Sequence, residues 1–513
     1  PSISVVEFKD SVYDNRLYFR GNISDDYGFS KLSFAWTVRK SGSEKPQADV
    51  KTREISFDRS LMQQQFFYFM DMSTLLIGPG DAVEYYFEVA DNDGVTGSKS
   101  TRSDVHIFKV PTLEEIEKMT DKRSEDIKDK MESVIKQSKT LQHKVEDMQR
   151  KMVDKNEIGW QEKQALKQLL DKQNELQQQV KEIQNENKEK NLKENQYTEL
   201  SPDLLEKQKQ LEELFNKVMT EDLKKMYDEL QKMLDEVNKD KVAEMLDKMK
   251  DDTRSLEKEI DRNLELFKQL ELEQKMQQVI DKTLKLAENQ EKLSEETNNA
   301  SRKDIESLSK KQDELNRQFD DLKRDIDDLH KKNEELEEPN TLGKTDTEEK
   351  EIEQEMDNSS QELNQGKSSK ASQSQKNASA KMKQLSQKLS QMQQEMQNEE
   401  QGEDIEAIRQ ILDNLVKISF DQEAIMNQAN QVSTTNPKYL QMIQAQKNLK
   451  EDLKLVADSL YALSKRQAAI EPFVLREMSA VENNMDEAVV QMNNRALAPA
   501  RAKQQYAMTS VNN

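Results

Sequence analysis

The sequence predicts a mainly α-helical protein with a small β-sandwich at its N-terminus. Charged residues make up 35% of the 513 residues and aromatic residues only 5%, so the chain cannot enclose several thick globular cores. Apolar residues alternate with period two over residues 1–110, and afterwards recur every three or four residues. The formal net charge of -22 argues against a general nucleic-acid binder, because an acidic surface repels phosphates.

Residues 1–110 predict a sandwich of seven strands. In residues 31–39, Leu32, Phe34, Trp36 and Val38 share one face, as in a half-buried strand. Turn sequences rich in Asp and Gly separate the strands predicted at 3–8, 17–23, 31–39, 50–57, 66–70, 81–90 and 105–110. Trp36 resembles the core tryptophan of immunoglobulin-like and fibronectin-like domains, and Tyr85 is interpreted as a tyrosine corner.

The segment from Pro111 to Ile116 marks the change to helices, because proline ends the last strand and Thr112 can cap a helix. We predict a coiled-coil hairpin over 111–200 and a coiled coil or helical bundle over 201–337. The polar interruptions between helices favour folding back in antiparallel pairs, and the alternative is one extended parallel dimer. Gln312 and Asn333 interrupt an otherwise apolar series that runs from Ile305 to Leu336, and they are expected to fix the register of its helix pairing. Two long series follow spacings of four and three: Ile127, Met131, Val134, Ser138, Leu141, Val145, Met148 and Met152; and Ile305, Leu308, Gln312, Leu315, Phe319, Leu322, Ile326, Leu329, Asn333 and Leu336.

Residues 338–380 differ in composition from the helical segments on either side. An acidic run passes into a segment rich in Ser, Gln, Lys and Asn with almost no large apolar residue, which predicts a disordered linker. Residues 381–513 return to a helical pattern. Within them, residues 403–423 form the most apolar amphipathic segment of the chain, and we predict a partner-binding face made of Ile405, Ile408, Ile411, Leu412, Leu415 and Ile418.

No motif predicts catalysis or a bound cofactor. Two Gly-Lys-Thr/Ser tripeptides at 343–345 and 366–368 lack the earlier glycine and the preceding strand that a phosphate-binding loop needs. The three histidines share no metal-ligand spacing, and the chain has no cysteine. Asp91, Asn92 and Asp93 are rich in oxygen, as a Ca²⁺ loop is, but acidic turns of this kind more often only cap their own backbone.

Three stretches carry a resemblance to a known family: Asp25-Asp26-Tyr27-Gly28, Pro111-Thr112-Leu113-Glu114-Glu115-Ile116, and residues 403–423. They are similar to the bacterial cell-envelope family catalogued as domain of unknown function 4175. The resemblance implies transmembrane helices upstream of Pro1 and a location outside the cytoplasmic membrane, and it brings no catalytic residues. The opening at Pro1 is itself interpreted as the start of a segment cut from a longer protein.

We therefore expect a non-catalytic, membrane-tethered scaffold on the periplasmic side of the cytoplasmic membrane. It would span distance and bind protein partners, or itself, through coiled-coil faces. The alternative is a cytosolic coiled-coil arm of a mechanical or partitioning ATPase, whose nucleotide-binding parts lie outside this sequence. A third hypothesis is an envelope enzyme whose sandwich binds glycan; exposed aromatic residues on one face of the sandwich would favour it, although the periodicity buries most of them.

Overall fold

The structure is a computed structural model that describes residues 1–9, 13–41, 49–93, 97–153, 159–218, 239–301, 303–429 and 431–512. It is mainly helical, with antiparallel β-sheets confined to the N-terminal region. The chain divides into two units. One consists of Pro1–Lys130 and Lys181–Leu200, and the other of Met131–Val180 and Ser201–Asn513.

Two antiparallel sheets make up most of the first unit. One sheet has the order β1-β2-β5, and the other has the order β4-β3-β6-β7 with β8 also paired to β6. All seven predicted strands are present with shifted ends, whereas β7 is additional, because its three residues carry no apolar alternation. The strands are β1 Ser2–Lys9, β2 Arg16–Ser24, β3 Phe29–Arg39, β4 Lys51–Glu54, β5 Gln63–Asp71, β6 Ala82–Asp91, β7 Ser100–Arg102 and β8 His106–Lys109.

The inward side chains of the two sheets form one buried aromatic cluster. Phe34 contacts Trp36 and Phe87, with ring centroids 5.7 and 5.1 Å apart, and Trp36 is buried as predicted. Tyr85 is also buried, but its hydroxyl donates to the Glu7 carboxylate at 2.7 Å. A tyrosine corner bonds to backbone, so the interpretation of Tyr85 as one is corrected.

Ten helices are bounded within the described residues. They are α1 Leu113–Val153, α2 Trp160–Tyr197, α3 Pro202–Lys217, α4 Lys239–Asn298, α5 Ile305–Glu334, α6 Asp346–Asn364, α7 Ser368–Ala429, α8 Lys438–Ser464, α9 Pro472–Asn493 and α10 Leu497–Asn512. Every position of the predicted seams is buried from Ile127 to Met152 and from Leu308 to Leu336. The spacing of four and three thus marks the interior face of α1 and of α5.

In the first unit, the start of α1 and the end of α2 are linked by charged side chains. The Lys130 ammonium contacts the Glu182 carboxylate at 3.0 Å and also pairs with Glu186. Close to the end of α2, Lys193 pairs with Asp14 at 3.3 Å, and Tyr197 packs against the aromatic cluster of the sheets. This part of the helical hairpin is therefore attached to the β-region.

In the second unit, α4, α5, α6 and the first half of α7 enclose one buried cluster. Neighbouring helices in this four-helix group run antiparallel. Between α4 and α5, for example, Glu296 near the end of α4 pairs with Lys311 near the start of α5, and Lys275, farther back in α4, pairs with Asp325, farther along α5. Ion pairs connect the successive helices, among them Lys275–Asp325, Lys323–Glu353, Lys388–Glu348 and Lys383–Glu291, with N–O distances of 2.6 to 2.8 Å.

A second four-helix group consists of the second half of α7 together with α8, α9 and α10. The Tyr439 hydroxyl of α8 donates to the Met492 carbonyl of α9 at 2.6 Å inside this group. Helix α7 is 62 residues long, and it contributes to both groups. One continuous helix therefore connects two separate cores of the second unit.

The predicted linker at 338–380 is corrected by the structure, which has α6 and the start of α7 in that segment. Its buried positions still follow spacings of four and three, but many of them are small or polar, so a search for large apolar residues misses them. Small side chains allow helices to approach closely. The buried positions with this spacing are Ile352, Met356, Ser359 and Leu363 on α6, and Ala371, Gln375, Ala378 and Met382 on α7, with Ser374 and Ser379 buried beside them.

Gly366, the glycine of one rejected tripeptide, ends α6. It has φ of 73°, in the left-handed region that glycine adopts without strain. Its amide donates to the Leu363 carbonyl at 2.8 Å, and the Lys367 amide donates to the Glu362 carbonyl at 2.9 Å. These two bonds form the usual glycine-terminated helix end, and they reverse the chain from α6 into α7.

Each four-helix group contains a layer of buried glutamine side chains. In the first group, the Gln312 Oε1 of α5 accepts from three neighbouring helices, with distances of 2.9 to 3.0 Å: from Gln290 on α4, Ser359 on α6 and Gln375 on α7. In the second group, Gln446 on α8 bonds to Gln422 on α7 and to Gln504 on α10. A buried amide without partners costs about 1–3 kcal/mol, so these layers oppose any change in helix register.

Candidate interaction surfaces

The predicted partner-binding face lies on the second half of α7, and the structure divides it into two rows. Ile411 and Ile418 are buried in the second four-helix group, and Leu415 is half-buried beside it. Ile405, Ile408 and Leu412 point into solvent instead. The six predicted residues therefore do not form one face, since only three of them are exposed enough to contact a partner.

The exposed row continues beyond the predicted residues. Val416 and Phe420 extend it, so the complete row is Ile405, Ile408, Leu412, Val416 and Phe420, with exposed fractions between 40 and 69%. We call these five residues the α7 stripe. Their spacing of three, four, four and four keeps them on one side of the helix over about four turns. This spacing was present in the sequence and identifies Val416 and Phe420 as residues that the prediction missed.

The opposite side of α7 fixes the direction in which the stripe points. Ile411, Ile418 and Ile425 recur every seven residues and are buried in the second four-helix group. Gln422 joins them and exchanges hydrogen bonds with Gln446 at 3.0 and 2.7 Å. Rotating α7 to bury Leu412 would therefore expose these isoleucines and break the amide pair, so the stripe is held toward solvent.

Charged residues flank the α7 stripe along one edge. Glu406, Arg409, Asp413 and Lys417 are all exposed, and their charges alternate in sign along the helix. Within the described part of the chain none of the four takes part in an ion pair between side chains. The α7 stripe is thus an apolar row with a charged edge on one side.

A second exposed apolar surface lies on the outer side of the sheet β1-β2-β5. Phe8, Tyr18 and Phe69 are cross-strand neighbours in one row of this sheet, and Phe67 follows in the next row. Their exposed fractions lie between 43 and 70%. We call these four residues the aromatic face. The period-two alternation of residues 1–110 predicts that most aromatic side chains are buried, so the aromatic face differs from that expectation.

Polar groups surround the aromatic face. The Arg20 guanidinium lies over the Phe8 ring, 5.4 Å from its centroid, and the Tyr18 and Phe69 rings are 5.0 Å apart. Asn22 and Gln65 occupy the adjoining row, where their side-chain amides are 3.5 Å apart. Exposed rings beside a guanidinium and two amides provide both stacking and hydrogen-bonding groups on one flat surface.

Of the candidate calcium residues, Asp91 ends β6, and Asn92 and Asp93 follow it directly. The Asp91 carboxylate accepts from the Lys99 amide at 2.9 Å and from the Asp93 amide at 3.3 Å. The Asn92 side chain donates to the Tyr27 carbonyl at 2.8 Å. In the described residues, no group of three or more histidine, aspartate or glutamate side chains is arranged to hold a metal ion.

The most buried ionised group of α4 has a structural role. The Arg262 side chain is fully buried and donates to the backbone carbonyls of Ser464, at 2.8 Å, and of Gln467, at 3.1 Å. Glu259, the nearest carboxylate, is 4.0 Å away, and burial raises its pKa. Arg262 therefore binds the carbonyl end of α8, where a cation complements the helix dipole.

Burial also raises the pKa of Asp252 on α4 to about 6, with a smaller contribution from neighbouring Asp251. Its buried Oδ2 atom accepts no hydrogen bond from the residues that the structure describes. An acid whose pKa is raised in the folded state destabilises the fold above that pKa. We therefore expect the ionised Asp252 carboxylate to lower the stability of the folded state at neutral pH.

Two of the three histidines lie beside a carboxylate in the structure. The Nδ1 atom of His106 lies 3.6 Å from the Glu7 carboxylate, and its ring stacks on Tyr85 with centroids 5.7 Å apart. His143 is mostly exposed and lies 4.0 Å from Glu146 on its own helix. His106 and His143 thus each lie beside one carboxylate.

Comparison with known proteins adds no relative. No protein-family model, no curated protein and no solved structure matches this chain. Across the described helices, none combines the length and the apolar character that a membrane span requires.

The division of α7 into a buried and an exposed row predicts two different responses to truncation. Ile411→Ala should lower the free energy of unfolding by about 2–4 kcal/mol, because it leaves a cavity in the core. Leu412→Ala should change it by less than about 0.5 kcal/mol, because the side chain is in solvent. Urea denaturation of both variants measures this. Equal decreases in the free energy of unfolding for Ile411→Ala and Leu412→Ala would contradict the assignment of Ile411 to the buried row and Leu412 to the exposed row.

Proposed function

We propose that this chain is a non-catalytic, membrane-tethered extracytoplasmic scaffold that spans distance and binds protein partners through its helical faces. The α7 stripe is the single observation that carries the proposal. Five apolar side chains project into solvent from a helix whose other side is fixed in a core. Exposed apolar rows of this kind with a polar border mark sites of protein interaction.

The proposed membrane tether and the proposed extracytoplasmic location rest on the resemblance of residues 25–28, 111–116 and 403–423 to the bacterial cell-envelope family domain of unknown function 4175. In this proposal a segment outside residues 1–513 anchors the protein in the cytoplasmic membrane. The acidic composition, with a formal net charge of -22, is compatible with an exposed, well-hydrated surface.

Two finer features of the fold belong to the same proposal. We propose that the two sheets form an immunoglobulin-like or fibronectin-like sandwich, which is supported by the burial of Trp36 in the aromatic cluster. We also propose that the helices pair as antiparallel coiled coils. The burial of the positions spaced by four and three supports this, together with the antiparallel contacts between neighbouring helices.

Photo-crosslinking in cells tests the scaffold proposal. A photoreactive phenylalanine analogue at Leu412 in the full-length protein should give a covalent adduct with another polypeptide. The same analogue at Leu440, an exposed leucine on α8 outside the stripe, should not. Ile408→Ser combined with Val416→Ser should abolish the adduct, because the two substitutions remove the apolar contacts on either side of position 412.

Cell fractionation completes this test. The native protein should sediment with membranes and be cleaved by protease added outside the cytoplasmic membrane. Recovery of intact protein in the soluble cytosol would remove both the tether and the location. Failure of Leu412 to crosslink under any growth condition would remove the role of the α7 stripe.

Glycan binding by the sandwich is a second candidate function, and the aromatic face is the observation that favours it. Sugar rings stack their apolar C–H faces on aromatic side chains, while their hydroxyls bond to amide and guanidinium groups. Phe67, Phe69 and Tyr18 would provide the stacking surface, and Asn22 and Arg20 the polar contacts.

Retention on insoluble polysaccharide tests this second candidate. The chain should be retained on chitin or on cellulose, and Phe67→Ser combined with Phe69→Ser should reduce retention at least about tenfold, because stacking on the two rings is lost. Leu76→Ser is the matched control, since Leu76 is exposed but lies outside the sheet. No retention of the unchanged chain, or equal retention of all variants, would exclude the two glycans.

A further inference from the structure

We infer that the α7 stripe is a self-complementary contact, in which a second copy of this chain packs its own stripe against the first in antiparallel orientation. The inference rests on the proposed function, because it names the partner of the same surface. The two-fold axis would pass beside Leu412, at the middle of the stripe. Such a contact uses the same patch on both copies.

The apolar side chains are placed symmetrically about Leu412. Ile408 and Val416 lie four residues on either side of it, and Ile405 and Phe420 lie close to the two ends of the stripe. In an antiparallel pair, Ile408 of one copy therefore faces Val416 of the other, and Ile405 faces Phe420. Leu412 meets its own counterpart, so every apolar residue of the stripe has an apolar partner.

The charged edge is self-complementary in the same arrangement. An antiparallel pair brings the charged edges of the two copies together along one side of the contact. Glu406 then lies beside Lys417 of the second copy, and Arg409 beside Asp413, each within about 4 Å along the helix axis. All four residues are exposed, and the alternation of their signs gives two opposite-charge pairs, each occurring twice.

A parallel pair does not make these contacts. In that orientation the charged edge of one helix faces the other edge of its partner, which carries Leu415 and Ser419. The four charges would then have no opposite charge across the contact. The charge pattern therefore selects the antiparallel orientation, while the apolar row provides the attraction.

The contact is small, because it involves about four turns of one helix on each copy. Interfaces at the low end of the size range bind weakly, so we expect a dissociation constant on the order of 10 µM. Analytical ultracentrifugation of the complete chain should show monomer at low concentration and dimer at about 100 µM.

Disulfide trapping tests the orientation directly, since the chain contains no cysteine. Leu412→Cys should form a covalent dimer on mild oxidation. Ile405→Cys alone should not, because the two copies of residue 405 would be about 22 Å apart, beyond disulfide reach. An equimolar mixture of Ile405→Cys and Phe420→Cys should give a mixed dimer. Self-crosslinking of all three single variants would indicate a parallel pair and overturn the inference.

Exchange of charges provides a second test that does not depend on cysteine chemistry. Glu406→Lys and Lys417→Glu should each raise the dissociation constant three- to tenfold, and the double variant should restore it to within about twofold. The positions are exposed, and circular dichroism of each variant checks that the helices are retained. Failure of the double variant to recover would contradict the pairing.

The outcomes separate this inference from the proposed function. A chain that stays monomeric at about 100 µM, and in which Leu412→Cys does not crosslink, overturns the self-association. If the photoreactive analogue at Leu412 then captures a different protein in cells, the scaffold proposal stands and only the identity of the partner changes. If it captures nothing, both fail.

Discussion

The fold of the second unit depends on one constraint, which is that α7 must fit two cores at the same time. Its first half bonds to the Gln312 layer through Gln375, and its second half bonds to Gln446 through Gln422. A slip or rotation of the helix would leave amides unpaired in both cores, at about 1–3 kcal/mol for each buried group. The register that satisfies both layers is therefore strongly preferred.

The exposed surface follows from this constraint. The rotation that buries Ile411 and Ile418 is also the rotation that places Leu412 and Val416 in solvent. Apolar residues in solvent contribute nothing to the stability of the single chain, so the α7 stripe is not explained by folding. Binding to another polypeptide gives it a physical reason, because the rest of the helix prevents it from turning inward.

Periodicity predicted most of the elements, and its failures have specific causes. Alternation located seven strands, whereas β7 has no apolar residue to alternate. Spacings of four and three located the buried rows of α1 and α5. In α6 and the start of α7, the same spacing is carried partly by small or polar residues such as Ser359, Ala371 and Gln375. Such residues are typical of disordered segments, so the sequence alone does not indicate that they are buried between helices.

The exposed apolar surfaces were less predictable than the fold. An apolar segment such as residues 403–423 indicates contact, but only the positions of α8 and α10 determine which of its two rows is covered. The segment 66–70 is apolar on both sides, so its inward residues predicted a strand correctly while Phe67 and Phe69 were not recognised as exposed. In both cases the sequence specifies the side chains, and tertiary neighbours specify which of them remain free.

Hydrogen exchange across α7 tests the central claim most directly. If α7 is one helix fixed in two cores, amides of residues 371–396 should exchange as slowly as those of α4, and residues 411–429 should be protected as well. Mass spectrometry of peptides from the intact chain resolves these segments. Complete exchange of residues 346–396 within seconds, beside a protected α4, would show a disordered linker there and would contradict the account.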